Sequence, residues 1–142
     1  MEEFTSLLKK HHLRVTDQRK AVFEVLLNST EPVNIHSLVQ SLPQVDRVSI
    51  YRILETFGTA GITKIVYTGW KKRYELSDTF LPHHHHLHCL NCGKTTALTD
   101  TRVESLITDL AKSHNFKVQS HSFEIEGVCE ECLTNPRLQR VL

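Results

Sequence analysis

Two Cys-x-x-Cys pairs, Cys89/Cys92 and Cys129/Cys132, hold every cysteine of this 142-residue chain, and the first follows directly on His83-His84-His85-His86-Leu87-His88. Thiolate and neutral imidazole are the ligands preferred by Zn²⁺ and its borderline neighbours, and one Cys-x-x-Cys turn places two sulfurs at adjacent corners of a tetrahedron. The C-terminal pair supplies the other two corners. A site made of four thiolates has no open position for water or substrate, so it is a structural zinc site, and the histidines are left for another task. Disulfide or thioredoxin-like redox chemistry is the alternative for the cysteines, but neither intervening dipeptide, Leu90-Asn91 or Glu130-Glu131, contains Trp or Pro. A tag is the plain reading of a polyhistidine run, yet this one is internal, four residues long and continuous with the cysteines. In an extended segment alternate residues point the same way. His83 and His85 then face one side and His84 and His86 the other, enough to serve two sites; a solvated loop without a ligand is the competing reading.

Composition excludes little. With 39% hydrophobic and 23% charged residues the chain is ordinary for a globular protein of one domain or two small ones. No apolar run approaches the roughly 20 residues that span a bilayer. Met1-Glu2-Glu3 lacks the basic-then-apolar pattern of a secretory signal, so a reducing cytoplasm is the expected location. Residues 1–76 carry 11 Lys/Arg against 8 Asp/Glu, and residues 77–142 carry 6 against 8. The front half leans basic, as a nucleic-acid binder would, and as a solvated charged face would too.

Along the chain, Phe4, Leu7 and Leu8 place a first helix over residues 3–12. Thr16 is expected to cap a second helix with Asp17 in its first turn, and Asn34 a third that ends at Pro43. A fourth helix, from about Asp46 to Ala60, carries Ile50, Ile53, Leu54 and Phe57 as one apolar stripe. Its other side holds Ser49, Arg52, Glu55 and Thr56, with Tyr51 on the flank. A strand over residues 62–68, a turn Gly69-Trp70-Lys71-Lys72 and a returning strand over 73–76 complete a winged helix-turn-helix outline. The fourth helix would enter the major groove and the cationic turn would lie along phosphates. A small helical domain without a DNA role remains the alternative. Ser77 to Pro82 reads as a polar hinge. Beyond the metal stretch the pattern predicts a strand over residues 94–98, a helix capped by Asp100 or Thr101 with Val103, Leu106, Ile107, Leu110 and Ala111 on one face, and a strand over 116–128 whose parity break suggests a bulge. So few elements close a small core, and this half is expected to borrow surface from a second copy. The fold class is α+β: an N-terminal winged helix-turn-helix domain over 1–77, a hinge over 78–82 and a small C-terminal α/β dimerisation domain over 83–142.

Leu13-Arg14-Val15-Thr16 with Arg19, Val48-Ser49-Ile50-Tyr51-Arg52-Ile53-Leu54, Gly61-Ile62, Tyr74-Glu75-Leu76, His83 to Gly93, His121-Ser122 and Gly127 to Cys132 together resemble the ferric uptake regulator (Fur) family of metal-dependent repressors. The resemblance runs over nearly the whole chain. It implies an N-terminal winged helix, a C-terminal dimerisation domain, and a homodimer that binds a double-stranded DNA operator when loaded with metal. It puts structural zinc on Cys89, Cys92, Cys129 and Cys132. It implies an interdomain sensor drawing on Glu75, His84 and His86, and a dimerisation-domain site of His83, His85, Glu104 and His121. DNA roles fall to Arg14, Arg19, Ser49, Tyr51 and Arg52, with Arg14 near the minor groove and Arg19 on phosphate. The chain departs from the family pattern at Pro32, where many members have His, and at Ala97, where an acidic residue is frequent; Glu31 or His36 could compensate. The zinc-sensing branch often has a Cys near residues 74–77, and this chain has none, which leaves Fe²⁺, peroxide-linked iron, Mn²⁺ or thiolate-free Zn²⁺ as the regulatory divalent metal. His85, where an Asp is frequent, shifts its site toward zinc.

The reading is therefore a metal-responsive repressor of metal-homeostasis or stress genes. A His/Cys-rich metal-buffering protein without sequence-specific DNA binding is the alternative. An enzyme is not expected: a zinc hydrolase or deaminase needs an open metal position with a general base, as in His-Glu-x-x-His, and no such motif occurs.

Overall fold

Short polar side chains begin the helices where their capping chemistry predicts. In the computed structural model, which describes residues 1–68 and 70–135, α1 spans Glu2–Lys10, α2 Asp17–Leu27, α3 Ile35–Ser41 and α4 Arg47–Thr59. Thr16 Oγ1 accepts from the Arg19 amide at 3.3 Å, Asn34 Oδ1 from Ser37 at 2.9 Å and Asp46 Oδ1 from Ser49 at 2.9 Å. Each bond satisfies an amide that the helix itself cannot. The apolar stripe of α4, Ile50, Ile53, Leu54 and Phe57, is buried throughout. It meets α1 and α2 where the Phe4 ring stacks on Phe23 at 4.2 Å and touches Phe57 edge-on at 5.6 Å. The chain leaves α4 at Gly61, whose φ of +69° is strained for any residue with a side chain.

The Asp46 carboxyl is held below the usual carboxylate range, chiefly by the Ser49 hydroxyl and then by the Ser49 amide. A depressed folded-state value means that its stabilisation is present above the unfolded value and fades as pH falls through the folded one. Asp46→Asn keeps a capping acceptor but no titrating charge, so its thermal midpoint will fall less steeply than wild type as pH drops below the ordinary carboxylate range, about pH 4. Melts followed at 222 nm across that range measure the difference.

After α4 come β1, Thr63–Thr68, and β2, Lys71–Leu76, antiparallel in a register running from Thr63↔Leu76 to Thr68↔Lys71. The returning strand thus begins two residues earlier than the sequence pattern suggests. Lys71 and Lys72 belong to β2, and Thr68↔Lys71 pairing leaves a connection of only two residues, of which Gly69 lies outside the described residues. The Lys72 ammonium lies 5.2 Å from the centre of the Tyr74 ring, two residues along the same face. Val33 exchanges backbone hydrogen bonds with Tyr74 at 2.8 Å, which anchors the hairpin beside the start of α3. The segment read as a hinge is partly tied down: Ser77 Oγ donates to the Gly61 carbonyl at 2.6 Å, and Phe80 packs edge-on against Phe23 at 5.0 Å.

The chain divides into two compact units at Pro82/His83. In the second, β3 (His85–Cys89) is central, with β4 (Thr95–Leu98) antiparallel on one side. After α5 (Thr101–Ser113), capped by Asp100 accepting from the Arg102 amide at 2.9 Å, β5 (Glu124–Gly127) returns parallel to β3 on its other side. A short helix, α6 (Glu130–Thr134), follows. Two differences from the sequence pattern stand out. The strand predicted over residues 116–128 is formed only at Glu124–Gly127, because its pairing starts at His86↔Glu124 and β3 does not extend before His85. The parity break at Phe123 is the end of a loop, not a bulge. The second is α6, which the sequence reading left out.

Burial is distributed unevenly between the units. Among the described residues the buried apolar cluster lies within the first, whereas the buried apolar residues of the second are Cys89 and Cys132. The stripe on α5 is largely uncovered: Leu106 is 55% and Leu110 53% exposed. A unit with this little buried apolar surface depends on other restraints.

Candidate functional site

The two Cys-x-x-Cys pairs meet crosswise. Cys89 and Cys132 sulfurs lie 3.8 Å apart, as do those of Cys92 and Cys129, and all four fall within 4.8 Å of one another. A tetrahedron with Zn–S bonds of about 2.3 Å has edges of about 3.8 Å, whereas a disulfide requires about 2.05 Å. Local backbone makes this possible. Gly93, at φ +77°, closes the first turn, its amide donating to the Cys89 carbonyl at 2.9 Å, and the Cys129 amide donates to the Cys89 sulfur at 3.3 Å. Burial opposes ionisation of Cys89, but the amides of Cys129, Cys92 and Asn91 bring its thiol down to about 6. Burial and contact with the other three thiols push Cys132 up to about 12. One sulfur is poised as thiolate and another resists ionisation, so a fully deprotonated set needs a cation, and the donor chemistry fits zinc.

His83, in the segment leading into β3, and His85, at its start, meet Glu104 from the first turn of α5 and His121 from the loop before β5. His85 Nε2 lies 2.8 Å from Glu104 Oε1, His121 Nε2 3.1 Å from Oε2, and the His83 and His121 Nε2 atoms 3.0 Å apart. The Glu104 carboxyl is held below its ordinary value by the His85 hydrogen bond, with His121 and His83 contributing. Three imidazoles converging on one carboxylate make a cation-ready N₃O set. On the opposite side of the same segment His84 and His86 stand with ring centres 4.9 Å apart.

In the first unit, Glu75 on β2 is buried, and its Oε1 lies 3.1 Å from Lys64 Nζ on β1, where the two residues are register partners. Lys64 also reaches Asp78 at 2.8 Å. Burial lowers the Lys64 ammonium's affinity for its proton, but Asp78 and Glu75 outweigh this and leave it above its ordinary value. Lys64 was missed in the sequence, since its pairing depends on hairpin register. Pro32 is buried and its carbonyl accepts from Arg73 at 3.2 Å, while Glu31 and His36 are exposed and join no ligand cluster among the described residues.

Arg14, Arg19, Ser49 and Arg52 line one cleft, together with Thr16 and Gln18. The Arg19 guanidinium donates to the Arg14 carbonyl at 2.5 Å, which braces the loop between α1 and α2. Ser49 Oγ is engaged by Asp46 at 2.5 Å, whereas Arg52 is exposed. Tyr51, 44% exposed, lies under the guanidinium of Arg47, a residue the sequence reading did not single out. Arg47 is one helical turn before Tyr51, and that spacing was its available signal. Trp70 is fully exposed at the tip of the hairpin.

A winged helix followed by a thiolate- and imidazole-rich α/β unit is the build of a metal-responsive transcriptional regulator. The chain belongs to the ferric uptake regulator family, whose model matches residues 10–126. It is 35% identical over 136 residues to the ferric uptake regulation protein of Yersinia pestis, covering 92% of this chain and 90% of that one. Its fold is similar to the Helicobacter pylori ferric uptake regulator, a protein with three functional metal-binding sites, at a TM-score of 0.84 and 27% identity over 95% of this chain and 92% of the other. It is also similar to the Vibrio cholerae ferric uptake regulator, at a TM-score of 0.74 and 29% identity over 88% and 98%. Among the described residues no helix is long and apolar enough to cross a membrane.

Proposed function

We propose that the chain acts in the cytoplasm as a homodimeric, metal-loaded repressor that binds a double-stranded operator, with structural zinc on Cys89, Cys92, Cys129 and Cys132. The observation that carries the DNA reading is the single cleft lined by Arg14, Arg19, Ser49 and Arg52 beside α4. An exposed Arg52 can donate to phosphate or guanine, and Tyr51 can pack on thymine methyls with Arg47 held over its ring. The uncovered stripe of Leu106 and Leu110 on α5 supports pairing with a second copy.

The regulatory divalent ion, Fe²⁺, Mn²⁺ or Zn²⁺, supplies a charge that carboxylate and imidazole ligands from different segments can share. Glu75, His84 and His86 would form the sensor, and His83, His85, Glu104 and His121 a second position within the dimerisation domain. Titrating operator binding against each of the three ions tests the whole reading. Sequence-specific binding that rises with one of them supports it, and metal uptake without such binding would favour a buffering protein. Within this reading Arg52→Ala weakens operator affinity by about 1–3 kcal/mol if Arg52 reads a base. Lys71→Ala and Lys72→Ala, on the cationic strand of the wing, mainly flatten the dependence of affinity on salt. Fluorescence anisotropy at several salt concentrations separates the two, and an Arg52→Ala protein that binds like wild type would remove α4 as the reader.

A further inference from the structure

β3 carries one more imidazole on the face of His84 and His86, and it belongs to none of the ligand sets above. His88 is 2% exposed, and its Nδ1 lies 3.1 Å from the hydroxyl of Thr95, its register partner on β4, itself buried. A hydrogen bond at one ring nitrogen fixes the orientation of the imidazole and leaves the other to coordinate, as partners of metal-bound histidines commonly do. The other nitrogen, Nε2, is 4.0 Å from Oε2 of Glu124 on β5. Glu124 stands opposite His86 in the parallel register, and the His86 and His88 rings are stacked, 5.6 Å apart and 13° from parallel. One ligand atom from each of His86, His88 and Glu124 lies within 4.8 Å of the other two.

A separation of 4.0 Å is too long for a direct hydrogen bond. It is a gap that two bonds of about 2.0–2.2 Å to a single ion can span. We propose that His86, His88 and Glu124 form a fourth cation site, separate from the Cys set, the Glu104 set and the proposed sensor. Two imidazoles and one carboxylate suit a divalent first-row transition ion such as Zn²⁺ or Co²⁺ rather than Mg²⁺ or Ca²⁺. The side chain of Glu124 is 38% exposed, which gives the ion a way in.

The site also bears on regulation, a consequence that rests on the sensor reading above. His86 sits between His84 and His88 in one row and is common to both sets. When His86 serves the His88 side it is withdrawn from Glu75 and His84, so loading of the new site opposes loading of the sensor.

The test uses the full chain with its structural zinc in place. A His84→Ala/Glu104→Ala/His121→Ala background cripples the sensor and the α5 site, and Co²⁺ is titrated into it by absorbance and calorimetry. About one further Co²⁺ per chain is expected, with the dissociation constant raised at least about tenfold on adding His88→Leu or Glu124→Gln and about tenfold on adding Thr95→Val. Absence of that Co²⁺, or binding unmoved by Glu124→Gln, overturns the site. Glu124→Gln decides alone if the buried His88→Leu protein does not fold. In the otherwise native chain Glu124→Gln is expected to lower the metal concentration needed for operator binding. An unchanged midpoint overturns the competition while leaving the Co²⁺ result intact, and failure of the sensor itself is read separately from His84→Ala.

Discussion

Cys129→Ser is expected to strip the proposed zinc from the purified protein and to unfold the C-terminal unit while the N-terminal unit stays folded. The asymmetry follows from where apolar surface is buried. The N-terminal unit has its own core around Phe4, Phe23 and Phe57, whereas Cys89 and Cys132 are the buried apolar residues of the C-terminal unit among those described. There the four converging sulfurs join the end of β3 to the start of α6, and the proposed zinc would take the place of a core. In small zinc domains the metal contributes on the order of 10–16 kcal/mol to folding, more than the whole stability of most domains. Removal of one thiolate leaves three donors, with Cys132 still disfavoured as a thiolate by burial, its first cause in the intact chain. Metal analysis will find the loss of about one zinc per chain. Limited proteolysis will leave a protected fragment ending near Pro82, and the proposed dimer is expected to dissociate with its interface. A Cys89→Ser/Cys129→Ser protein that keeps its full zinc content would overturn the assignment.

What could be read in advance followed the range of the interaction involved. Thr16 and Asn34 were legible as caps, and Asp100 as one of two candidates with Thr101, because each bonds an amide two or three residues away. The stripe of α4 was legible because a 3.6-residue period is a property of the segment alone. The grouping of His83, His85, Glu104 and His121 was expected from resemblance, since those residues come from a strand, a helix and a loop that no local rule joins. Features set by strand register stayed hidden. Lys64 meets Glu75 because Thr63 pairs with Leu76, and Glu124 meets His86 because β5 runs parallel to β3, across 38 residues of sequence. The loop over residues 116–123 read as strand because its residues suit one, but within this chain β3 offers no edge beyond His85 for it to pair with. A sequence records a preference for extended structure more readily than the presence of a partner.

His84→Ala/His86→Ala is expected to keep the structural zinc and the dimer yet lose metal-stimulated operator binding. In the proposed switch, Glu75 on β2 and the imidazoles of His84, just before β3, and His86, on it, would share one ion, and this would set the spacing of the two winged helices so that both enter half-sites about one or more helical turns apart. Without it only a fraction of dimers match that spacing, and apparent affinity is reduced by the same fraction. Lys64 bears on how sharply this works. Its ammonium lies 3.1 Å from Glu75 Oε1, so the carboxylate already has a cationic partner, and loading requires the ion to compete with or displace that contact. Lys64→Met should therefore tighten sensor loading, the opposite direction to Glu75→Gln, and isothermal titration of the two single variants reads the sign. Pro32 and Ala97 offer no ligand, Ala97 standing directly opposite His86 on β4, so in the proposed switch Glu75, His84 and His86 would carry the response with few substitutes. A His84→Ala/His86→Ala protein whose operator binding still rises with metal as wild type does would move the switch to His83, His85, Glu104 and His121, whose three imidazoles already converge on one carboxylate.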